Sequence, residues 1–292
     1  MIETLNNAFK DYRYFDHNHS YLHIPTDTQL TSVTQLLKKL VPPFNERYWL
    51  PYKVFQKNGY DVKYESETSF LVNGSRFKPY IDNLDNYDLE ISADDLKYHW
   101  YILSLVGSSR GTILHNYLES LWNRKIMRDI TPDIINKLSA LEAIDYIKSI
   151  DIIKKLSYDL YNELILTHVP VATEYVVGDI DFKIAGTFDL LLYNTLTGKY
   201  EIWDYKTDKS FNTSGRDYIK GFNVQQCEMN KYSLQLNIYK YLIEKNSGIK
   251  IDKCIIVHFD YKKNTKTTIN CLDYSDLVKD FFHNGNNLTT YL

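Results

Sequence analysis

The sequence predicts an α/β (α+β) fold, and three observations predict it. Up to Pro170 the apolar residues recur mostly with a helical period, and after it they alternate as in strands. Two apolar runs in "GTFDLLLYNTLTGKYEIWDYKTDKS", residues 186–210, are joined by a polar turn and read as a hairpin. A helical segment near 231–245 then interrupts the strands, which resume near 254–260 and 266–271. Helices followed by a strand meander, a helix and further strands belong to α/β or α+β architecture. The chain has 292 residues, 44% of them hydrophobic, enough for one large domain or a core domain with an extension.

Taken in order, residues 1–30 are polar and aromatic with no clear period. "TSVTQLLKKLVPPFNERYWLPYKVFQKNG" reads as two helices broken at Pro42 and Pro43, because proline cannot continue a helix. Residues 60–90 read as short strands and turns. "SADDLKYHWYILSLVGSS" is a helix with Ser92 as N-cap, and "RGTILHNYLESLWNRK" is a further helix. Thr131 and Pro132, as N-cap and first helical residue, start another, and one more spans roughly 151–167. Strands are expected near 171–178, 181–193 and 200–206, and a last helix near 274–282.

Composition narrows the function classes. Net charge is −3, so bulk charge announces no nucleic-acid partner and any such contact needs a local basic surface. The 26 tyrosines accompany frequent Asn, Lys and Ile, a mixture that fits an AT-rich coding genome and carries little functional weight. Cys227, Cys254 and Cys271 lack metal-ligand spacing, which leaves a zinc or iron–sulfur site unsupported and fits a reducing, cytoplasmic setting. No apolar leader core and no run of membrane-spanning length is seen.

The hairpin carries the chemistry. "NTLTGK" is its turn, with Gly198 free to take positive φ. Pairing Tyr193 with Tyr200 sets Leu191 against Ile202 and Asp189 against Asp204, and the period of two puts Asp204 and Lys206 on one face. Like charges opposed on a sheet destabilise it unless something neutralises them. A hard divalent cation does so, since Mg²⁺ and Mn²⁺ take carboxylate oxygens. Two carboxylates, a cation and a lysine suit phosphodiester hydrolysis, by polarising the phosphate, activating water and offsetting charge on the leaving oxygen. The plainer alternative has Asp189 and Asp204 ending strands and Lys206 in solvent.

These residues resemble the PD-(D/E)XK nuclease superfamily, as Phe188-Asp189 followed by Asp204-Tyr205-Lys206. "GTFDLLL" and "YEIWDYKTDKS" are similar to the RecB-type branch, with its G-x-x-D and D-Y-K-T. "RGTILHNYLE" resembles the branch's G-x-x-x-H helix, which makes His115 a metal ligand by position, with Glu119 one turn on along the same face. "VATEYVVGDIDFKIAG" places Glu174 where the branch often has an acid that orders the site, an exposed strand residue being the alternative. Gln235-x-x-x-Tyr239 matches the Q-x-x-x-Y element, its amide and phenol on one helical face, either contacting substrate or buttressing the catalytic strand. More loosely, "TSVTQLLKKLVPP" and the helices after it look like phage-type and mitochondrial genome maintenance exonucleases.

The resemblance implies a restriction-endonuclease-like core over residues 107–292, a central mixed β-sheet flanked by helices, after a mainly helical N-terminal extension, 1–106; that extension either arches over the site or serves only as packing or a partner surface beside an open cleft. It implies a Mg²⁺- or Mn²⁺-dependent deoxyribonuclease, an exonuclease on DNA ends or single-stranded DNA, of phage, recombination or repair type. In that assignment His115, Asp189, Asp204 and the Tyr205 carbonyl hold metal, Lys206 serves the nucleophile, and Gln235, Tyr239, Glu119 and Glu174 support site or substrate. DNA is the partner, with replication or recombination proteins as further candidates and no membrane. The location is cytoplasmic, the host's if phage-encoded. No iron–sulfur cluster is expected, because the four cysteines of the CRISPR-associated relatives are not here. Lys206, Lys209, Arg216, Lys220, Lys262, Lys263 and Lys266 form a candidate basic surface, with Phe211 or Phe222 stacking on a base. The alternatives are an endonuclease of the same fold and a non-cleaving nucleic-acid-binding or assembly subunit.

Overall fold

The computed structural model describes residues 2–126, 133–207, 211–215 and 217–283. In chain order the elements are α1 (Ile2–Phe9), β1 (Tyr12–Phe15), β2 (Ser20–His23), β3 (Thr28–Ser32), α2 (Val33–Lys39), α3 (Glu46–Lys57), β4 (Val62–Ser66), β5 (Ser69–Val72) and β6 (Ser75–Phe77). There follow α4 (Ala93–Asn123), α5 (Ala140–Leu164), β7 (His168–Asp179), β8 (Ile184–Asn194), β9 (Lys199–Lys206), β10 (Tyr218–Ile219), β11 (Val224–Gln225), α6 (Glu228–Ser247), β12 (Ile251–Asp260), β13 (Thr265–Asn270) and α7 (Ser275–His283). The strands and helices expected after Pro170 are all present, with ends shifted by a few residues.

The larger of two compact units contains residues up to 42, 109–126 and 140 onward. Its eight-stranded mixed sheet runs β1-β2-β3-β8-β9-β12-β13, with β7 also paired to β8. One face is covered by α1, α2, α6 and α7, whose Leu5, Leu36, Leu242 and Val278 pack with Val177, Leu191, Ile202 and Ile256. The other is covered by α4 and α5, whose Leu114, Leu118, Trp122, Ile153 and Leu160 pack with Leu190, Trp203, Tyr205, Val257 and Phe259. The central strands β8, β9 and β12 are near-continuous apolar runs because both of their faces are buried.

Three expectations change. The boundary at 106 is replaced: residues 2–42 belong with the sheet, because β3 pairs parallel with β8 through Thr31–Ile184 and Ser32–Ala185. Ser32 ends β3 and caps α2 in a capping box with Gln35, an arrangement worth about 1 kcal/mol. The helices read separately on either side of "GSSRG" are one helix of 31 residues, α4. A glycine costs a helix only about 1 kcal/mol, and burial of Leu114, Leu118 and Trp122 exceeds that. Finally, α5 starts at Ala140, after a 3₁₀ turn at Asp133–Lys137; the expected start at Thr131 and Pro132 lies outside the described residues.

The smaller unit, residues 43–108 and 133–139, packs α3 on the antiparallel sheet β4-β5-β6. Its core has an aromatic part, where Tyr48, Phe55, Phe70 and Phe77 are buried with Trp49, Tyr52, Tyr60 and Tyr87 against them, and an aliphatic part of Leu50, Val54 and Leu96. Ser92 caps α4 as expected, accepting from Asp95 N at 3.1 Å.

Candidate active site

The site begins where a regular hairpin stops. β8 and β9 pair from Asn194–Lys199 to Leu190–Trp203, in the register that opposes Tyr193 with Tyr200 and Leu191 with Ile202. Beyond Trp203, β9 continues along β12 as far as the pair Lys206–His258. The same edge of β8 is next taken up by β3, at Ile184 and Ala185. Residues 186–189 therefore border an opening in the sheet. Asp189 fills its mouth: its Oδ2 accepts the Tyr205 N–H at 2.7 Å, where a backbone carbonyl would serve in a regular ladder.

The backbone turns over at this point. Phe188 and Leu191 both face the α6 side, although strict alternation would separate them. Across β7, between the pairs Thr173–Leu190 and Tyr175–Phe188, Glu174 has φ of 43°. A non-glycine residue there is strained, and such strain persists only where surrounding structure imposes it. The result is that two acids of adjacent strands reach one helix. His115 Nδ1 on α4 lies 3.1 Å from Glu174 Oε1 and 3.4 Å from Asp189 Oδ1. One donor atom from each of these three residues lies within 4.8 Å of the others.

Helix α4 is held in place by its own contacts. Arg110 donates from Nε to Ser149 Oγ on α5 at 2.7 Å and from Nη1 to Tyr261 Oη at 2.9 Å, with its guanidinium 4.2 Å from the Tyr261 ring centroid. Three turns further on, Trp122 Nε1 donates to Tyr205 Oη at 3.2 Å. His115 lies between these two anchors.

Asp204 and Lys206 share a face of β9, as the period of two requires, and Lys206 Nζ is 2.5 Å from Asp204 Oδ2. This oxygen is buried, and the lysine's charge is what meets it there. Lys206 lies against Tyr232 of α6, its Nζ 4.9 Å from the ring centroid. The expected flat arrangement, with all three residues facing one another, is thus replaced by an opening that Asp189 meets from the α4 side and Lys206 from the α6 side.

The charges are strongly coupled. Burial and the Asp189 charge raise the Asp204 carboxyl to about 6, with Lys206 pulling the other way. Burial also raises Glu174, against the pull of His115. Burial alone would raise Asp189, but His115, Lys206 and the Tyr205 N–H hold it low. Burial would lower His115, yet Asp189 and Glu174 together lift it well above the usual imidazole range.

The supporting residues divide. Gln235 Nε2 donates to Tyr239 Oη at 3.2 Å, and Tyr239 is fully buried. A Cβ on Gly186 would fall 2.5 Å from Tyr239 Cε1, so glycine at that position lets the phenol close on β8. Glu119 accepts from Asn123 at 3.3 Å and adds negative charge near Glu174. The basic surface is less than expected: Lys263 pairs with Asp260 at 2.9 Å and Lys266 with Glu163 at 2.8 Å. Lys209 and Arg216 lie outside the described residues. Phe222 is buried and stacked on Phe281, which removes it as a base contact. Phe211 is only half-buried, against Tyr232 and His258. Tyr232 also belongs to this group, and its one signal in the sequence is its place one turn before Gln235.

The family model of the PD-(D/E)XK nuclease superfamily matches residues 101–270, more than half of the chain. The chain belongs to this superfamily. The members that give this superfamily its name are nucleases, which hydrolyse phosphodiester bonds of nucleic acid. Nucleases of this superfamily use divalent metal ions, and the residues present fit one: His115, Glu174 and Asp189 converge, with the buried Asp204 carboxylate nearby. Among solved structures, the chain is similar to a candidate exonuclease from Eubacterium rectale at 14% identity and a TM-score of 0.37, over 60% of this chain and 62% of that one. It is also similar to a protein called SSO0001, at 20% identity and a TM-score of 0.25, over 52% and 65%. The chain thus spans a little under two thirds of either structure. No curated protein matches it at a significant level. Among the described residues no helix is long and apolar enough to cross a membrane.

Proposed function

We propose that this PD-(D/E)XK nuclease is a Mg²⁺- or Mn²⁺-dependent deoxyribonuclease of the RecB-type branch, working as an exonuclease on DNA ends or single strands. The observation that carries the metal-dependent chemistry is the cluster His115–Glu174–Asp189 beside the Asp204–Lys206 pair. The exonuclease assignment rests on the resemblance of the D-Y-K-T and Q-x-x-x-Y segments. His115, Asp189 and Asp204 would hold the ion, with Glu174 completing the acidic set. In an extended strand the N–H and C=O of one residue point the same way. The Tyr205 N–H points to Asp189, so its carbonyl is directed at the same opening and suits a further oxygen ligand. Oxygen donors with a single imidazole suit Mg²⁺ and, more so, Mn²⁺. When bound, such an ion polarises the phosphate and stabilises charge on it.

The remaining work falls to the protein. Lys206 orients the attacking water and faces the developing phosphate charge, a preorganised group in a water-poor site. The Tyr205 N–H fixes the orientation of Asp189. Gln235 and Tyr239 brace β8 at Gly186. Asp204 holds the lysine close to its task.

The test is incubation with end-labelled linear and closed circular DNA, single- and double-stranded, under Mg²⁺, Mn²⁺ or EDTA. Progressive shortening of linear strands with either metal, closed circles spared and EDTA abolishing cleavage, is the expected result. Circles cut as fast as linear strands of equal length would reassign the protein as an endonuclease. No cleavage of any DNA with either metal would leave the non-cleaving reading.

A further inference from the structure

We propose that Tyr232 is a positioning residue for Lys206. The inference rests on the reading that Lys206 acts at the phosphodiester. A lysine has a flexible four-carbon stem and three donors, so a carboxylate at 2.5 Å leaves part of its orientation to other contacts. Tyr232 supplies such a contact from α6. Its ring centroid is 4.9 Å from Lys206 Nζ, and Lys231 Nζ approaches the same ring at 5.1 Å. A ring attracts an ammonium through its quadrupole. Unlike a carboxylate, it offers no lone pair along a hydrogen-bond direction, so it steers the charge without occupying an N–H donor. Phe211, 6.1 Å from Tyr232 and 5.7 Å from His258, covers the same group. His258 itself is the partner of Lys206 in the β9–β12 register. The ammonium is thereby held from Asp204 on one side and an aromatic wall on the other, aimed along the opening between β8 and β9.

The experiment compares Tyr232→Phe, Tyr232→Leu and Lys206→Ala in single-turnover cleavage of labelled linear single-stranded DNA, with Mg²⁺ or Mn²⁺. In parallel, the ¹³C-dimethyl-lysine NMR spectrum is recorded, with the Lys206 signal assigned by its loss in Lys206→Ala. In steady-state assays run alongside, Tyr232→Phe keeps the ring and should stay within about twofold of wild type, whereas Tyr232→Leu should lower kcat about tenfold with KM nearly unchanged. The Lys206 resonance should show a ring-current shift that survives in the Phe variant and vanishes in the Leu variant. An unchanged kcat in Tyr232→Leu, or a raised KM with kcat intact, would overturn the inference, the second outcome making Tyr232 a DNA contact instead. If Lys206→Ala cleaves normally, the reading of the site fails. The NMR comparison still decides whether Tyr232 holds the lysine.

Discussion

The two ends of the β8–β9 hairpin use the same strands in opposite ways. At the turn end every residue from Leu190 to Asn194 has a β9 partner, and apolar side chains alternate between two buried clusters. Gly198, at φ of 70°, closes the turn. At the open end the strands take different partners, the side chains are acids and a lysine, and one neighbouring residue is left-handed. Regular pairing provides stability at one end. Its interruption at the other creates a place where carboxylates from two strands and a histidine from a helix converge. Natural proteins accept local strain where function requires it.

Breaking the open end should remove activity and spare the fold. Asp204→Ala and Lys206→Ala are each expected to slow cleavage about a hundred- to a thousandfold, with the folded state retained, as read by circular dichroism. Wild-type rates in both folded variants would end the assignment. The turn end should respond in the reverse sense. Leu191 is fully buried, so Leu191→Ala should cost about 2–5 kcal/mol in urea unfolding, while cleavage per folded molecule stays near normal.

The next two changes sharpen the contrast. His115→Ala should weaken Mn²⁺ binding, read by titration calorimetry, about tenfold or more, with little change in affinity for DNA. An unchanged metal requirement would return His115 to a merely structural role. The smallest effect belongs to Gly198→Ala. Its Cβ would have room, the nearest atom being Tyr193 Oη at 3.6 Å. The cost is therefore the left-handed backbone alone, about 1 kcal/mol, seen in the unfolding midpoint and not in the cleavage rate.

This contrast also explains what was legible in the sequence. The hairpin register followed from alternation and one turn glycine, and the placement of Asp204 with Lys206 followed from it. The left-handed Glu174 and the reversal at Asp189 did not, because a period-two reading has no means to express a broken period. Four short elements, α1 to β3, were invisible in residues 1–30. Their strands have only four or five residues, too few to show a period, and they are fixed by distant partners. Helix α4 is continuous through Gly107 and Gly111, which local propensity disfavours, because burial further along the helix overrides it.

The parallel pairing of β3 with β8 has a consequence for how the protein is made. Tyr21 on β2 reaches a hydroxyl of β8 that lies 166 residues further along the chain. At ordinary translation rates, roughly ten to thirty seconds separate their emergence from the ribosome. Throughout that interval β3 has β2 on one edge and nothing of this chain on the other, and an unpaired strand edge is a template for pairing with another chain. Pairings so distant in sequence also close slowly, since loop entropy is lost before any contact repays it. An early-made strand with a late-made partner makes residues 20–32 the segment most dependent on shielding during synthesis, and truncation before β8 should expose them to aggregation.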